Sequence, residues 1–218
     1  MAITLGSSGI TYSNGTSATS SQDTLDYGLP ISITTFTSNG TYTVPQDCTK
    51  ILVQLVGGGG GAAGYQESGG AGGFAEGAYS VTPGAQYSVT IGGGGGGVGY
   101  YAGAGDGGTT SFGSLISASG GYGANRNYSH GGGHGGVGSS GQINLYGGTG
   151  CGHGNHSSHA QPSGGGPSFF GGAGGLTRGN NGSNYGPAYG SGAPGGITEI
   201  GNHGPGGTAG VCVVFAYK

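Results

Sequence analysis

Glycine dominates the segment from residue 57 to residue 207, where it fills 57 of 151 positions. Because glycine has no side chain, such a segment cannot build an interdigitated apolar core, and ordering a glycine chain has a large entropic cost. The segment is therefore either a mobile linker or a structure held together by its own backbone. Only 5% of the whole chain is charged, whereas 14 tyrosines are present, and this composition argues against the linker.

A backbone-packed structure needs a partner for every buried N–H and C=O group. The collagen triple helix is excluded, since no sustained repeat places glycine at every third position and the chain has only 8 prolines. The remaining candidate is the left-handed polyglycine-II helix, a polyproline-II-like form with three residues per turn. We predict a bundle of such helices that hydrogen-bond sideways to one another.

Apolar alternation, in contrast, predicts β-strands around the glycine region, and no window has helical periodicity. The sequence Thr82-Pro83-Gly84-Ala85 between two of these segments predicts a hairpin. The expected fold is all-β without α-helix, in which a small antiparallel sheet or sandwich carries the glycine bundle. The predicted strands are 31–37, 41–45, 50–56, 74–81, 86–91 and 211–217.

Two domains are expected. Residues 1–28 have too few apolar residues to fold alone, and are interpreted as an attachment arm or, alternatively, as a frayed terminus. Residues 29–218 form the glycine-rich β/polyglycine-II domain. Its β base is expected at 31–56, 74–91 and 208–218, and its glycine-rich excursions at 57–73 and 92–207.

Charge and motifs exclude several functions. The net charge of −3 without a basic stretch disfavours nucleic acid as a partner. The first residues form neither a signal peptide nor a membrane span, so we expect synthesis in a cytoplasm and no membrane insertion. Three distant cysteines do not suggest a disulfide framework. The seven acidic residues are scattered and no phosphate-binding motif is complete, so we expect no enzyme and no cofactor.

Three stretches resemble the glycine-rich domain at the C-terminal end of many bacteriophage tail fibres: FTSNGTYTVP at 36–45, KILVQLVGGGG at 50–60 and GGAGGFAEG at 69–77. The sequence ITLGSSGITYSNGT at 3–16 similarly resembles the start of short phage fibre proteins. The resemblance covers residues 1–15 and most of 36–218, with the glycine tract similar in style. Tip adhesins of T-even-type phages are similar in that style too.

This resemblance implies a virion tail protein made in the host cytoplasm. Residues 1–28 would attach to other virion tail proteins, and loops between stacked polyglycine-II helices would bind a host surface glycan or an outer-membrane protein. Fibres of this family are usually trimers and some tip adhesins are monomers, so a homotrimer is expected with the monomer left open. No catalytic residues are implied.

Candidate receptor-binding residues lie in four islands where larger side chains interrupt the glycine. Tyrosine and asparagine offer flat aromatic faces and amide hydrogen bonds at low entropic cost, as binding loops do. The alternative is that the tyrosines only cap bare glycine surfaces. The candidates are Asn125, Arg126, Asn127, Tyr128, His130, Asn144, Tyr146, His153, His156, His159, Arg178, Asn184, Tyr185 and Tyr189.

A metal site is a weaker candidate. On a three-residue helix, His153, His156 and His159 share one edge about 9 Å apart, too far for one ion to contact all three. A turn could bring Cys151, His153 and His156 together, a thiolate and imidazole set that suits zinc. No carboxylates lie nearby to orient the imidazoles, so exposed surface histidines are the favoured interpretation.

Two other functions remain open. The islands could contact only neighbouring subunits, which would make the chain a structural virion component such as a fibre spacer or head decoration. Bundled glycine helices could also present flat faces to ice. An ice-binding face needs regular rows of small residues and threonine, whereas Tyr, His and Asn interrupt the rows here.

Overall fold

The computed structural model describes residues 28–63, 67–99, 103–124, 131–152, 164–172, 188–195 and 204–218, together with the backbone of three short strands before residue 28. These residues contain strands and no helix, so the all-β prediction is confirmed. The strands are β1 Ile3–Gly6, β2 Gly9–Tyr12, β3 Ser17–Ala18, β4 Ser32–Phe36, β5 Gly40–Thr43, β6 Lys50–Val56, β7 Phe74–Ser80, β8 Gln86–Thr90, β9 Thr110–Phe112, β10 Ile116–Ala118, β11 Gly138–Ser139, β12 Ile143–Leu145 and β13 Val211–Tyr217.

Ten of these strands form two antiparallel five-stranded sheets. Sheet 1 has the order β12-β7-β6-β13-β4 and sheet 2 the order β11-β10-β9-β8-β5. Strands β1, β2 and β3 make a separate small sheet. Alternate residues of sheets 1 and 2 are buried in one shared core, to which Leu55 and Val214 contribute from sheet 1, and Val89 and Phe112 from sheet 2.

The predicted hairpin at residues 82–85 is wrong. The chain does reverse there, with Gly84 at φ 78° and the Ala85 N–H bonded to the Thr82 carbonyl at 3.1 Å. However, β7 pairs with β6 and β12, whereas β8 pairs with β5 and β9. The two strands therefore belong to opposite sheets, because each side of the turn carries apolar residues that pack across the core.

Four short strands lie inside the expected excursion 92–207. Strands β9 and β10 pair with each other and extend sheet 2, β11 ends that sheet, and β12 ends sheet 1. Each has only two or three residues, and glycine-rich sequence flanks them. The chain thus returns to the sandwich repeatedly between its glycine runs.

Burial of the Cys212 thiol makes the free energy of unfolding depend on pH in the alkaline range. Burial raises the pKa of Cys212 from 9.0 to about 12, and also raises the pKa of Tyr42 and Tyr79. Above pH 9 the unfolded chain loses the thiol proton while the folded chain keeps it. The free energy of unfolding is therefore undiminished below pH 9 and falls between about pH 9 and 12, by up to about 1.4 kcal/mol per pH unit from this thiol.

Urea unfolding between pH 7 and 11 tests this expectation. In Cys212→Ala the alkaline fall should be shallower, since one titrating group is removed. Val214→Ala is the control, a buried truncation in the same strand that should lower stability by a similar amount at every pH. Equal slopes for Cys212→Ala and the parent protein would contradict the assignment.

Glycine-rich runs project from one end of the sandwich. They lead alternately away from the sheets and back, and we number them run 1 to run 10 in chain order. Their residues are 57–63, 67–73, 92–98, 103–109, 119–124, 131–137, 146–152, 164–168, 188–195 and 204–210.

Backbone hydrogen bonds join run 1 to its neighbours with a period of three residues. Successive N–H groups point to three different runs, and every third N–H group returns to the same one, as in a polyproline-II-type helix. Gly57, Gly60 and Ala63 donate to run 2, Gly58 and Gly61 to run 4, and Gly59 and Ala62 to run 10, at 2.8–3.1 Å.

Runs 1 and 2 lie at the centre of the bundle. Carbonyls of run 1 accept bonds from runs 3, 5 and 9, so run 1 has six bonded neighbours, and run 2 likewise bonds to runs 1, 5, 6, 7, 8 and 9. Runs 3 to 10 are bonded in sequence order around this pair, and three bonds between runs 10 and 3 close the ring. These bonds define hexagonal packing in rows of three, four and three runs, namely 4-5-6, 3-1-2-7 and 10-9-8.

Candidate functional site

The far end of the bundle gathers five pairs of run ends. Run 1 leaves the sandwich at Val56, and at its other end the Ala63 N–H bonds to the Glu67 carbonyl at 3.1 Å. The ends of runs 3 and 4, 5 and 6, 7 and 8, and 9 and 10 lie around this point. Backbone bonds hold these ends to neighbouring runs through Val98, Ala104, Ala124, Gly133, Cys151 and Gly204. The segments 64–66, 100–102, 125–130, 153–163 and 196–203 therefore all connect runs at this end.

The chain enters the sandwich from the opposite end. Strand β6 runs from Lys50 to Val56, where run 1 begins, and Lys50 pairs with Tyr217 and Ser80 at its start. The Ile31 N–H bonds to the Ala216 carbonyl at 2.7 Å beside this start. Residues 28–31 and the far end of the bundle are thus the two poles of the domain.

Most of the predicted receptor-binding residues lie outside the described residues. These are Asn125, Arg126, Asn127, Tyr128, His130, His153, His156, His159, Arg178, Asn184 and Tyr185. The segments that contain them attach at different ends: 125–130 and 153–163 connect runs at the far end, whereas 173–187 follows Gly172 near the sandwich. The Gly172 carbonyl accepts a bond from Ser191 Oγ at 3.1 Å, and a Cβ atom at the neighbouring Gly190 would meet the Val56 side chain at the end of β6.

The described candidates Asn144, Tyr146 and Tyr189 lie near the sandwich. The Asn144 side chain bonds both backbone groups of Gly141 at 2.7 and 3.0 Å, and so closes the turn before β12. Tyr146 is 78% exposed where run 7 leaves β12, and the exposed Tyr189 lies where run 9 begins. The structure therefore does not bring these three residues to the far end.

Sequence reasoning missed two polar residues that anchor the far end. Ser68 Oγ accepts a bond from the Cys151 N–H at 2.6 Å and contacts the Gly164 carbonyl at 2.8 Å, so it joins the two runs that segment 153–163 connects. Asp106 Oδ1 accepts a bond from the Gly123 N–H at 2.8 Å, just before segment 125–130. For Asp106 the available signal was a lone polar residue within glycine, which marks a backbone position that a side chain can reach, whereas Ser68 follows Gln66 and Glu67 and carries no such signal.

Of the three predicted metal ligands, only Cys151 lies within the described residues, and it is exposed at the far end. His153 and His156 lie outside the described residues. Within the described part of the chain, no three His, Cys, Asp or Glu residues cluster as metal ligands. Glu67, in run 2, is buried at the far end.

Comparison with known proteins identifies a family for this chain. A search of curated proteins finds no significant match. In the described ranges no helix is long and apolar enough to cross a membrane. A family profile described as a glycine-rich domain matches residues 34–217, which covers all ten runs and both sheets except the first two residues of β4. The chain therefore belongs to the glycine-rich domain family.

Proposed function

We propose that this chain is the distal, receptor-binding protein of a bacteriophage tail fibre, located in the virion and made in the host cytoplasm. It binds a host surface glycan or an outer-membrane protein without catalysis. Residues 1–28 attach it to other tail proteins, and three copies assemble. The resemblance of residues 3–16 and 36–77 to phage fibre sequences supports this proposal.

The main support for the proposal is that the entry of the chain and the connecting segments lie at opposite ends of the domain. A fibre tip needs an attachment at one end and a variable surface at the other. Here residues 28–31 enter at one pole, and five connecting segments leave from the other. Two of these segments, 125–130 and 153–163, are rich in Asn, Tyr, Ser and His, the composition of adaptable binding loops.

The bundle is a suitable support for such a surface. Because lateral backbone bonds fix the runs, a connecting segment can change length or sequence without changing the packing of the scaffold. Ser68 and Asp106 hold the bases of the two candidate loops through backbone bonds. We infer that recognition depends on segments 125–130 and 153–163.

Loop replacement in the full-length protein tests this function. Segments 125–130 and 153–163 are replaced by Gly/Ser sequences of equal length, with an equal replacement of segment 173–187 as the control. The purified parent protein should bind host cells and compete with the virus for adsorption. The double replacement should reduce binding at least about 100-fold, since loss of the central residues of a binding interface typically lowers affinity by this amount. The melting temperature should not change.

The alternatives predict different results. A structural spacer would neither bind cells nor block adsorption in any form. Loss of binding only with the 173–187 control would place the receptor site near the sandwich. Either result would overturn the proposed function or its location.

A further inference from the structure

The outer faces of the two sheets differ sharply in chemistry. On sheet 2 the residues that point away from the core are hydroxyl or amide residues, as expected for a sheet face in water. They are Thr41, Thr43, Gln86, Ser88, Thr90, Ser111, Ser117 and Ser139. This face needs no partner.

The outer face of sheet 1 is mostly apolar, with polar residues that include Thr35, Gln54 and Glu76. Ile33 lies opposite Phe215 and Phe215 lies opposite Leu52, so one apolar row crosses three adjacent strands. Ile33 is 58% exposed, and Ile143 on the other edge strand is 46% exposed. The face also includes Ile31, Val213 and Leu145.

Aromatic residues extend this face toward the bundle. Phe169 stacks on the buried Phe74 with ring centroids 3.6 Å apart, yet it remains 52% exposed. Phe170 packs edge-on against Phe169 at 5.4 Å. An exposed apolar face of this kind on a protein domain usually marks an interface.

Charge on this face is low. The Gln54 amide donates to the Glu76 carboxylate at 2.6 Å near the centre of the face, and Lys50 lies at the end remote from the bundle. A charged partner could form few ion pairs with this face. Low charge and high apolar content instead match the interfaces between copies of one chain.

The position of the N-terminal residues identifies the partner. Residues 28–31 enter at the remote corner of the apolar face, beside Ile33. If copies meet through this face with their strands parallel, their first 28 residues start side by side. That segment has too few apolar residues to fold alone, and its strands β1, β2 and β3 would gain neighbours from the other copies.

We propose that copies of this chain assemble through the outer face of sheet 1, with all bundles projecting in one direction. This proposal deepens the assembly stated in the proposed function and is independent of which receptor is bound. Sheet 2 stays in contact with solvent, and the far ends of all bundles lie at the same pole of the assembly.

The oligomeric state of the full chain, measured by analytical ultracentrifugation, tests the proposal. The parent protein should be an oligomer, and Ile33→Lys should raise its dissociation constant at least about 100-fold, because a charge would be buried in an apolar interface. Thr41→Lys is the matched control, an exposed position on β5, the corresponding edge strand of sheet 2, and should leave assembly unchanged. Ile143→Ser on β12 provides a milder second variant in case Ile33→Lys does not fold.

A monomeric parent protein would overturn the proposal, as would an equal effect of Thr41→Lys and Ile33→Lys. An oligomer that Ile33→Lys and Ile143→Ser both leave intact would also overturn it, since the interface would lie elsewhere. These outcomes are separate from those of the loop replacements, which change cell binding and leave the oligomer intact. Failure of one proposal is thus distinguishable from failure of the other.

Discussion

Gly60→Ala is expected to unfold the domain or to lower its free energy of unfolding by more than about 3 kcal/mol, although it adds one methyl group. A Cβ atom at Gly60 would overlap the backbone carbonyl of Tyr122 and the backbone nitrogen of Gly123. Ordinary overpacking, at about 1–3 kcal/mol, is relieved by side-chain movement. Here only backbone can move, and run 1 is bonded to six neighbours, so relief breaks several hydrogen bonds.

The matched controls are Gly93→Ala and Gly96→Ala in run 3. A Cβ atom at either position has no atom within 4 Å. Replacing these glycines reduces the entropy of the unfolded chain, so stability should change by less than about 1 kcal/mol, with a small gain expected. Thermal and urea unfolding of the three variants measure the contrast. Equal stability of Gly60→Ala and Gly93→Ala would show that the runs are not closely packed.

The sequence was sufficient to predict the kind of structure in the bundle. Without side chains between residues 57 and 61, only the backbone can supply contacts, and an extended three-residue helix is the form that exposes its N–H and C=O groups in all directions. The strand from Lys50 to Val56 was also predictable, because its apolar residues are β-branched or aliphatic and end at the first glycine.

The arrangement of the bundle was not predictable in the same way. Glycine runs have no side-chain pattern to fix a register or a neighbour. Their order is set where the chain returns to the sandwich, and some of those strands, such as β10 and β11, have only two or three residues. The turn residues 82–85 likewise predicted that the chain reverses at Gly84. They did not predict which sheet each flanking strand would join.

For the candidate site, composition predicted the segments but not their position in the fold. The islands around Tyr128 and Tyr146 look alike in sequence, yet one connects runs at the far end and the other begins a run at β12. The difference depends on whether a run leads away from the sheets or back to them. That direction is known only when every strand that returns the chain to the sandwich has been counted. Ser68 and Asp106 were missed because their role lies in backbone bonds to distant runs.

Amide hydrogen exchange should reveal the hexagonal packing directly, with a period of three residues in the outer run 3. In run 3, Gly92 donates to Thr110 Oγ1, Gly95 to the Gly59 carbonyl and Val98 to the Ala62 carbonyl, at 2.8–3.0 Å. The intervening Gly93 and Gly96 are exposed. We therefore expect slow exchange at every third amide of run 3 and fast exchange at Gly93 and Gly96.

Run 1 should behave differently, because all of its amides from Gly57 to Ala63 donate to neighbouring runs. Opening any of them requires separation of the bundle, so they should exchange only through global unfolding, about 10³-fold or more slowly than a denatured peptide. Residue-resolved exchange measured by NMR distinguishes the two patterns. Fast exchange throughout residues 57–207 would mean that the glycine bundle does not exist. Uniform slow exchange in run 3 would mean that its outer edge is covered by another surface. The combination of a uniformly protected run 1 and a three-residue alternation in run 3 follows only from a central run inside a bonded ring.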